Sequence, residues 1–321
     1  MSKSCESSNC PENREKFKTM IGGQALIEGI LMRGPKKQAI VVRTPEGLVE
    51  KVETLHSPKE KCPILGWPLI RGVVNFFDSI LCGIKALTYS ADFFPEEERE
   101  PDAVDRFLEK HFKKETLEKL VVPIGLVLGV LFAIGLFLLL PTFLVSLIPP
   151  IREQFFLRNL AEGLVKVLLF VGYMALVSRM KDMRRIFSYH GAEHKTIRCY
   201  EAKLPLTVEN VRPMTRLHPR CGTSFLFVVI VISILVGAFI QVSNTLLRML
   251  LKLLLLPVVV AIAYEINRFV GRHDNAFTRA LTKPGMWFQN FTTNEPNDSM
   301  IEVAIRSLEL VIPEEEGSDR W

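Results

Sequence analysis

The sequence lacks most of the features that would assign it to a familiar soluble class. Its 321 residues contain no internal repeat, no long low-complexity tract and no apolar N-terminal run of the secretory type. The glycines after residue 21 do not have the spacing of a dinucleotide fingerprint. Six cysteines are scattered, which excludes a dense disulfide framework; they stand at positions 5, 10, 62, 82, 199 and 221.

Aromatic side chains do not alternate with the basic ones, and this absence argues against nucleic-acid binding. The net charge is only +5, and the lysines and arginines gather beside apolar segments. That placement follows membrane topology and does not form a stacking platform for bases. We therefore expect no nucleic-acid partner. The expected partners are the lipid bilayer and a membrane or cytoplasmic protein.

Long apolar runs are what the sequence does contain, since 48% of its residues are hydrophobic. Four runs are long enough to cross a bilayer, at 121–148, 160–180, 225–242 and 250–269. Few charges interrupt them and no paired broken-helix pattern is visible, so a transporter is the weaker interpretation. The positive-inside rule predicts a multi-pass protein of the cell membrane, with both termini and the loop 181–224 in the cytoplasm.

The remaining segments complete a mainly α membrane protein with a small cytoplasmic β element. Residues 38–43 and 48–52 read as a β-hairpin, and 300–305 alternates in the same way, so both ends of the chain would form the sheet. A helix within 64–94 is expected to be amphipathic and to lie at the membrane surface, although a re-entrant or spanning helix is the alternative. The predicted domains are a disordered tail (1–20), the hairpin region (21–60), the amphipathic helix and charged linker (61–120), a four-helix membrane domain (121–270) and a cytoplasmic C-terminal segment (271–321).

The loop between the second and third runs carries the strongest functional signal. It contains His190, Glu193 and His194 in the order His-x-x-Glu-His, and a helix over 183–201 places them on one face with Glu201. This order matches the inverted zinc-protease signature, in which the histidines bind a divalent metal such as Zn²⁺ and the glutamate takes a proton from water. The alternative is that both histidines only cap and hydrogen-bond the loop.

A third metal ligand has to come from another part of the chain. His218 and Cys221 have ligand chemistry in a turn that leads into the third apolar run, and Glu201 is a further candidate. More distant carboxylates are Glu28 and Glu265. Ordinary salt bridges would explain several of these charges equally well; the expected pairs are Glu28 with Arg33, Glu265 with Arg268, and Arg220 with a carboxylate or a lipid phosphate.

Four stretches of the chain resemble the YqhQ family of bacterial membrane proteins of unknown function. The resemblance extends from about Ile21 to Ile312 and is carried by GGQALIEGILMRGP (22–35), YHGAEHKTIRCYE (189–201), HPRCGTSF (218–225) and TTNEPNDSMIEVAI (292–305). Such proteins are sometimes labelled predicted metal-dependent enzymes. The resemblance implies a membrane protein and leaves the activity open. Asn297 stands where the family pattern favours aspartate, which weakens any metal role for that position.

Two functions follow from these observations. The first is a membrane-bound metal-dependent hydrolase with its site at the cytoplasmic membrane face, acting on a peptide, a lipid-linked group or an amide. The second is a non-catalytic membrane scaffold or assembly factor, in which the β-rich part recruits a partner and the histidine loop is structural.

Overall fold

The computed structural model describes residues 17–55, 62–94, 114–152, 154–273, 275–315 and 317–320. For 114–123, 151 and 152 it describes the backbone alone. Most of the predicted N-terminal tail and of the predicted charged linker lies outside the described residues. The chain divides into two compact units, the first comprising Met1–Phe93, Met174–Ile232 and Pro257–Trp321, and the second Phe94–Tyr173 and Ser233–Leu256.

The described chain is mainly helical and carries one small sheet. The strands are β1 (Gly22–Leu26), β2 (Gly29–Arg33), β3 (Lys37–Thr44) and β4 (Gly47–Thr54). The helices are α1 (Ile70–Ala91), α2 (Lys114–Ile134), α3 (Leu140–Ser146), α4 (Pro149–Arg152), α5 (Phe155–Val177), α6 (Lys181–Glu201), α7 (Val208–Val211), α8 (Gly222–Ala238), α9 (Thr245–Leu254), α10 (Leu256–Arg272), α11 (Ala276–Thr292) and α12 (Asp298–Glu309). A 3₁₀ turn, Pro63–Gly66, precedes α1, and a π-helical turn, Gly135–Leu139, joins α2 to α3.

The sheet is an antiparallel meander in the order β1-β2-β3-β4. The predicted hairpin is present as β3 and β4, which pair from Lys37 opposite Thr54 to Thr44 opposite Gly47. The glycine-rich segment before it forms β1 and β2. Gly29 permits this pairing because a Cβ there would lie 2.6 Å from the carbonyl oxygen of Val41.

The C-terminal segment 300–305 is helical, so the prediction of a strand there was wrong. It belongs to α12, and the Asn297 side chain caps that helix by accepting the Met300 N–H at 3.0 Å. Buried residues recur at helical spacing along it, at Ile301, Ala304, Ile305 and Leu308. The alternation covered only six residues, which is too short to distinguish the two-residue period of a strand from the 3.6-residue period of a helix. The sheet therefore comes from the N-terminal part of the chain alone, and α12 packs on β2 and β3.

Apolar helices dominate the segment predicted to be membrane-embedded, which indicates membrane association. By length and composition two described helices are able to cross a bilayer, Ile124–Ser146 and α5, or up to three if α9 and α10 count as one bent span. The number predicted from the sequence was four. The third predicted span is the shorter helix α8, and the fourth is interrupted after Leu254. Pro257 follows this break and has no N–H to continue the hydrogen bonding of α9.

Helix α1 occupies the predicted amphipathic segment and is not among the described helices that are both long and apolar enough to cross a bilayer. Its small residues Gly72, Gly83 and Ala86 are buried, whereas Phe77 and Leu81 are exposed. Small residues let the helix backbone approach its neighbours closely, and a Cβ on Gly72 would lie 2.9 Å from the Tyr264 Cβ. Whether α1 lies on the bilayer stays a prediction.

The main core of the first unit lies between the sheet and the helices α6 and α12. Ile30, Met32 and Val41 from the sheet meet Tyr189 and Ile197 of α6, and α12 adds its own buried face. Each buried side chain of this size contributes about 1.5–3 kcal/mol through the removal of apolar surface from water. Helix α6 is thus fixed on more than one side, and it carries the His-x-x-Glu-His sequence.

Candidate metal centre

One face of α6 lines a cavity of about 550 Å³. His190, Glu193, His194 and Ile197 all face it, as their helical spacing predicts. The helix is separate from α5, because the backbone of Met180 is extended between them.

Two backbone carbonyls orient the paired histidines. The Nδ1 atom of His190 lies 2.8 Å from the carbonyl oxygen of Thr292, and that of His194 lies 2.6 Å from the carbonyl oxygen of Arg216. A carbonyl accepts hydrogen bonds only, so each neutral imidazole donates Nδ1–H and keeps its lone pair on Nε2. This is the arrangement by which proteins prepare histidines as metal ligands.

Cys221 completes a group of three donor atoms. Its Sγ lies 3.2 Å from Nε2 of His190, and the ligand atoms of His190, His194 and Cys221 all lie within 4.8 Å of one another. Tetrahedral Zn²⁺ holds nitrogen at about 2.0 Å and sulfur at about 2.3 Å, which requires neighbouring donors about 3.3–3.5 Å apart. The Nε2 atom of His194 is buried and has no hydrogen-bond partner in the described chain. The three side chains therefore fit a bound divalent metal after a small adjustment.

The protonation of these groups also suits metal binding. Burial lowers the pKa of the His194 imidazole to about 4, which keeps it neutral near pH 7. Burial opposes ionisation of the Cys221 thiol, but interaction with His194 and hydrogen bonds from Thr223 outweigh it, so the pKa of Cys221 is lowered. Cys221 directly precedes α8, and the Thr223 N–H points to its Sγ at 3.4 Å, as at a helix N-terminus that favours a thiolate.

Glu193 is a buried carboxyl group in the same cavity. One oxygen accepts the N–H of Gly23 at 3.0 Å, while the other is buried and has no hydrogen-bond partner among the described residues. Burial raises the pKa of Glu193 to about 7. A carboxyl group with a pKa near neutrality, one free oxygen and two metal-ligating side chains beside it is suited to accept and return a proton.

His218 and Glu201 are not part of the three-residue group, although the sequence offered both as ligands. Nε2 of His218 lies 3.3 Å from one oxygen of Glu201, and Arg220 bonds to the other. Glu201 also accepts the Thr19 N–H at 3.0 Å. Burial opposes ionisation of Glu201, but these partners outweigh it and lower its pKa. The three side chains form an ion network beside the metal centre, with Arg220 pairing to a carboxylate as one interpretation expected.

The other charged candidates form salt bridges, but not with the partners expected. Glu28 accepts from Arg185 and from the Tyr189 hydroxyl, which lies 3.0 Å away. Glu265 pairs with Arg71 at 2.7 Å and not with Arg268, and Arg33 pairs with Asp78 at 2.6 Å. None of these three candidates contributes a donor atom to the group around His190.

The comparison with known proteins adds the family. A model for proteins of unknown function, DUF1385, matches residues 67–314. The chain belongs to this family. It is also 33% identical over 300 residues to the uncharacterized protein YqhQ of Bacillus subtilis (strain 168), an alignment that covers 92% of this chain and 93% of that protein. The resemblance to the YqhQ family is thereby confirmed, and no solved structure matches the chain.

Sequence reasoning missed the backbone groups that complete the centre. The carbonyls of Thr292 and Arg216 fix the two imidazoles, and the Gly23 N–H holds Glu193. A main-chain atom leaves no signature in residue type, so only its neighbours could have indicated it. The glycine at position 23 is such a signal in the sequence. The structure explains it, because a Cβ there would lie 3.0 Å from the Glu193 carboxyl carbon.

Proposed function

We propose that this protein is a membrane-bound metal-dependent hydrolase. His190, His194 and Cys221 would bind one divalent metal, and Glu193 would be the general base. The observation that carries the proposal is the convergence of two Nε2 atoms and one Sγ, with both Nδ1 atoms already bonded to carbonyls. Three protein ligands leave a fourth position for water or substrate, as in catalytic zinc sites. Thiolate and imidazole favour Zn²⁺ among the common divalent ions.

Glu193 then moves the proton that hydrolysis requires. When bound, the metal would act as a Lewis acid that activates water and polarises the substrate carbonyl. The free oxygen of Glu193 would accept a proton from the attacking water and return it to the leaving group. The Gly23 N–H keeps the other oxygen in place during both transfers. The location of this centre at the cytoplasmic membrane face rests on the charge pattern of the sequence.

A neighbouring cavity favours substrates with an apolar chain. It measures about 640 Å³ and shares Gln24, Arg220, Gly222 and Leu226 with the cavity of the metal centre. Apolar side chains line much of the remainder; they are Phe76, Ile80, Ile84, Leu87 and Phe225. Among the substrate classes considered, a lipid-linked group or an apolar peptide segment fits this pair of cavities better than a small polar amide.

Metal analysis of purified full-length variants tests this function. We expect about one metal ion per chain in the wild type and almost none in His190→Ala. His273→Ala is the control, because that exposed histidine, whose Nδ1 lies 2.9 Å from the carbonyl oxygen of Phe269, is not part of the three-residue group. Glu193→Gln should keep the metal and fail to complement a deletion strain. A wild-type protein without metal would refute the metal centre. A metal-loaded Glu193→Gln protein that complements fully would favour the scaffold function.

A further inference from the structure

Helix α5 in the second unit has an apolar face and a charged face. Its exposed residues include Leu160, Leu164 and Leu168, as expected for a helix in contact with lipid. The opposite face is buried and polar, and it consists of Arg158, Asn159, Glu162, Gly163 and Lys166. Ionisable side chains in a membrane helix are costly, and where they occur they usually serve a binding or transport function.

Three cations share one carboxylate on this face. Arg248 of α9 lies 3.2 Å from one oxygen of Glu162, and Lys252 bonds to the other oxygen and to Thr142 Oγ1 at 2.9 Å. Lys166 is close enough to interact electrostatically with Glu162 and Lys252, and it donates to Ser233 Oγ at 2.8 Å. These three positive charges and one negative charge leave an excess of positive charge in a buried group, and the fully buried Arg158 adds to it because it also interacts electrostatically with Glu162.

Arg248 has hydrogen-bonding capacity that its surroundings do not use. Its side chain is 0% exposed, and its Nε and Nη1 atoms have no acceptor in the part of the chain that the structure describes. A guanidinium group cannot lose its proton in a protein, so its charge persists even if a neighbouring lysine becomes neutral. Buried donors of this kind are expensive unless an acceptor reaches them. A tetrahedral oxyanion with one to two negative charges supplies both the acceptor oxygens and the missing charge.

We propose that Lys166, Arg248 and Lys252, grouped around Glu162, bind a phosphate-type oxyanion. The group extends towards the ends of its helices, since Arg158 in the first turn of α5 donates to the carbonyl of Ile240, just after α8, at 3.4 Å. Helix ends are the depth at which lipid phosphates lie. Either a lipid headgroup or inorganic phosphate would satisfy the group, and this site is independent of the hydrolase proposal.

Thermal unfolding of the full-length protein in detergent tests the site. Dioctanoyl phosphatidylglycerol and dioctanoyl phosphatidylcholine have the same chains but differ in net charge, and inorganic phosphate is compared with chloride at equal ionic strength. We expect the anionic lipid to raise the Tm in a concentration-dependent manner and the zwitterionic lipid to have little effect. Arg248→Gln should weaken binding more than about tenfold. Arg179→Gln, an exposed cation after the other end of α5, is the charge-matched control and should change nothing.

Glu162→Gln gives the sharpest result because its expected effect has the opposite sign. It removes the carboxylate that repels an anion, so the anion should bind more tightly and raise the Tm further than in the wild type. If Arg248→Gln does not fold, the Glu162→Gln variant alone tests whether the anion site exists. Stabilisation by the anionic lipid only would identify a headgroup, and stabilisation by phosphate as well would identify the bare anion. No effect of either, weaker binding in Glu162→Gln, or equal losses in the Arg248 and Arg179 variants would refute the site.

Discussion

At the scale of single residues, the charges of the proposed metal centre would determine which groups it can stabilise. Two neutral imidazoles and one thiolate would leave a divalent metal with one net positive charge. The pKa of the buried His194 is about 4, which favours its neutral form near pH 7, and a bound divalent cation would itself favour the thiolate of Cys221. A centre that keeps a positive charge continues to attract hydroxide or a carbonyl oxygen, which a fully neutralised structural site does less well.

Replacing the thiolate should therefore have a large and specific effect. We expect Cys221→Ser to weaken Zn²⁺ binding by more than about tenfold, because a serine hydroxyl does not ionise at neutral pH. A competition titration against a chelator measures the change. In the Co²⁺-loaded protein the thiolate-to-cobalt charge-transfer band should also disappear.

Cys82→Ser is the matched control, since that thiol lies 3.2 Å from Gln38 Oε1 and not in the centre. Its metal affinity and cobalt spectrum should equal those of the wild type. An unchanged cobalt band in Cys221→Ser would show that another atom occupies this position.

The residue types of the proposed centre could be predicted from the sequence, but which side chain joins the two histidines could not. The spacing of His190 and His194 on one helical turn indicated a pair of ligands without any tertiary information. The third ligand depended on how α8 starts relative to α6, and five side chains with ligand chemistry were available. Only the fold shows that Cys221 reaches the pair while Glu201 is held by Arg220.

At the scale of elements, the close approach of α6 to the segment after α11 is what positions His190. Gly191 makes this approach possible, because a Cβ there would overlap the carbonyl oxygen of Asn294. The Asn294 N–H also donates to the carbonyl of Phe187 at 2.8 Å. The neighbouring Thr292 carbonyl is thereby held against the imidazole of His190.

Gly191→Ala should lower both stability and metal affinity. The added methyl group forces the two segments apart, which we expect to cost about 1–3 kcal/mol of unfolding free energy and to move the Thr292 carbonyl. Thermal unfolding and metal titration of the same sample measure both effects. Gly172→Ala in α5 is the control, since a Cβ there meets nothing within 4 Å and alanine favours a helix. Equal losses in both variants would contradict this account.

Short sequence patterns predicted some of the strands and helices correctly and others wrongly. The β3–β4 hairpin was predictable because its strands are eight residues long and a turn sequence joins them. The segment 300–305 was misjudged because six residues fit both periods, and burial over the twelve residues of α12 decides for the helix. The strands β1 and β2 were not predicted because glycine has a low strand propensity. Only the tertiary contacts of Gly23 and Gly29 explain why glycine occurs in these strands.

At the scale of the whole molecule, the two ends of the described chain meet. Thr19 and Arg320 form an isolated antiparallel bridge, and the Thr19 hydroxyl donates to the Asp319 carboxylate at 2.6 Å. Thr19 also reaches Glu201 in the ion network beside the metal centre. Because these contacts are direct, the segments around Thr19 and Asp319 have to lie on the same side of any bilayer.

Single-cysteine labelling tests this consequence for topology. In a background without other cysteines, Met20→Cys and Ser318→Cys, both at exposed positions, should react with a membrane-impermeant maleimide under the same conditions. The charge pattern further predicts reaction only after the cells are permeabilised. Phe239→Cys, in the exposed connection between α8 and α9, should react in intact cells. Labelling of residues 20 and 318 from opposite sides would contradict the bridge.

The Thr292 carbonyl that orients His190 stands 102 positions after it in the chain. During synthesis the imidazole leaves the ribosome long before its acceptor exists, and it can rotate freely until α11 and the segment behind it have been translated. A metal ion that met the nascent protein early would find ligands without fixed geometry. Loading of the proposed metal in the final arrangement would therefore be a late event, which would tie its acquisition to completion of the polypeptide.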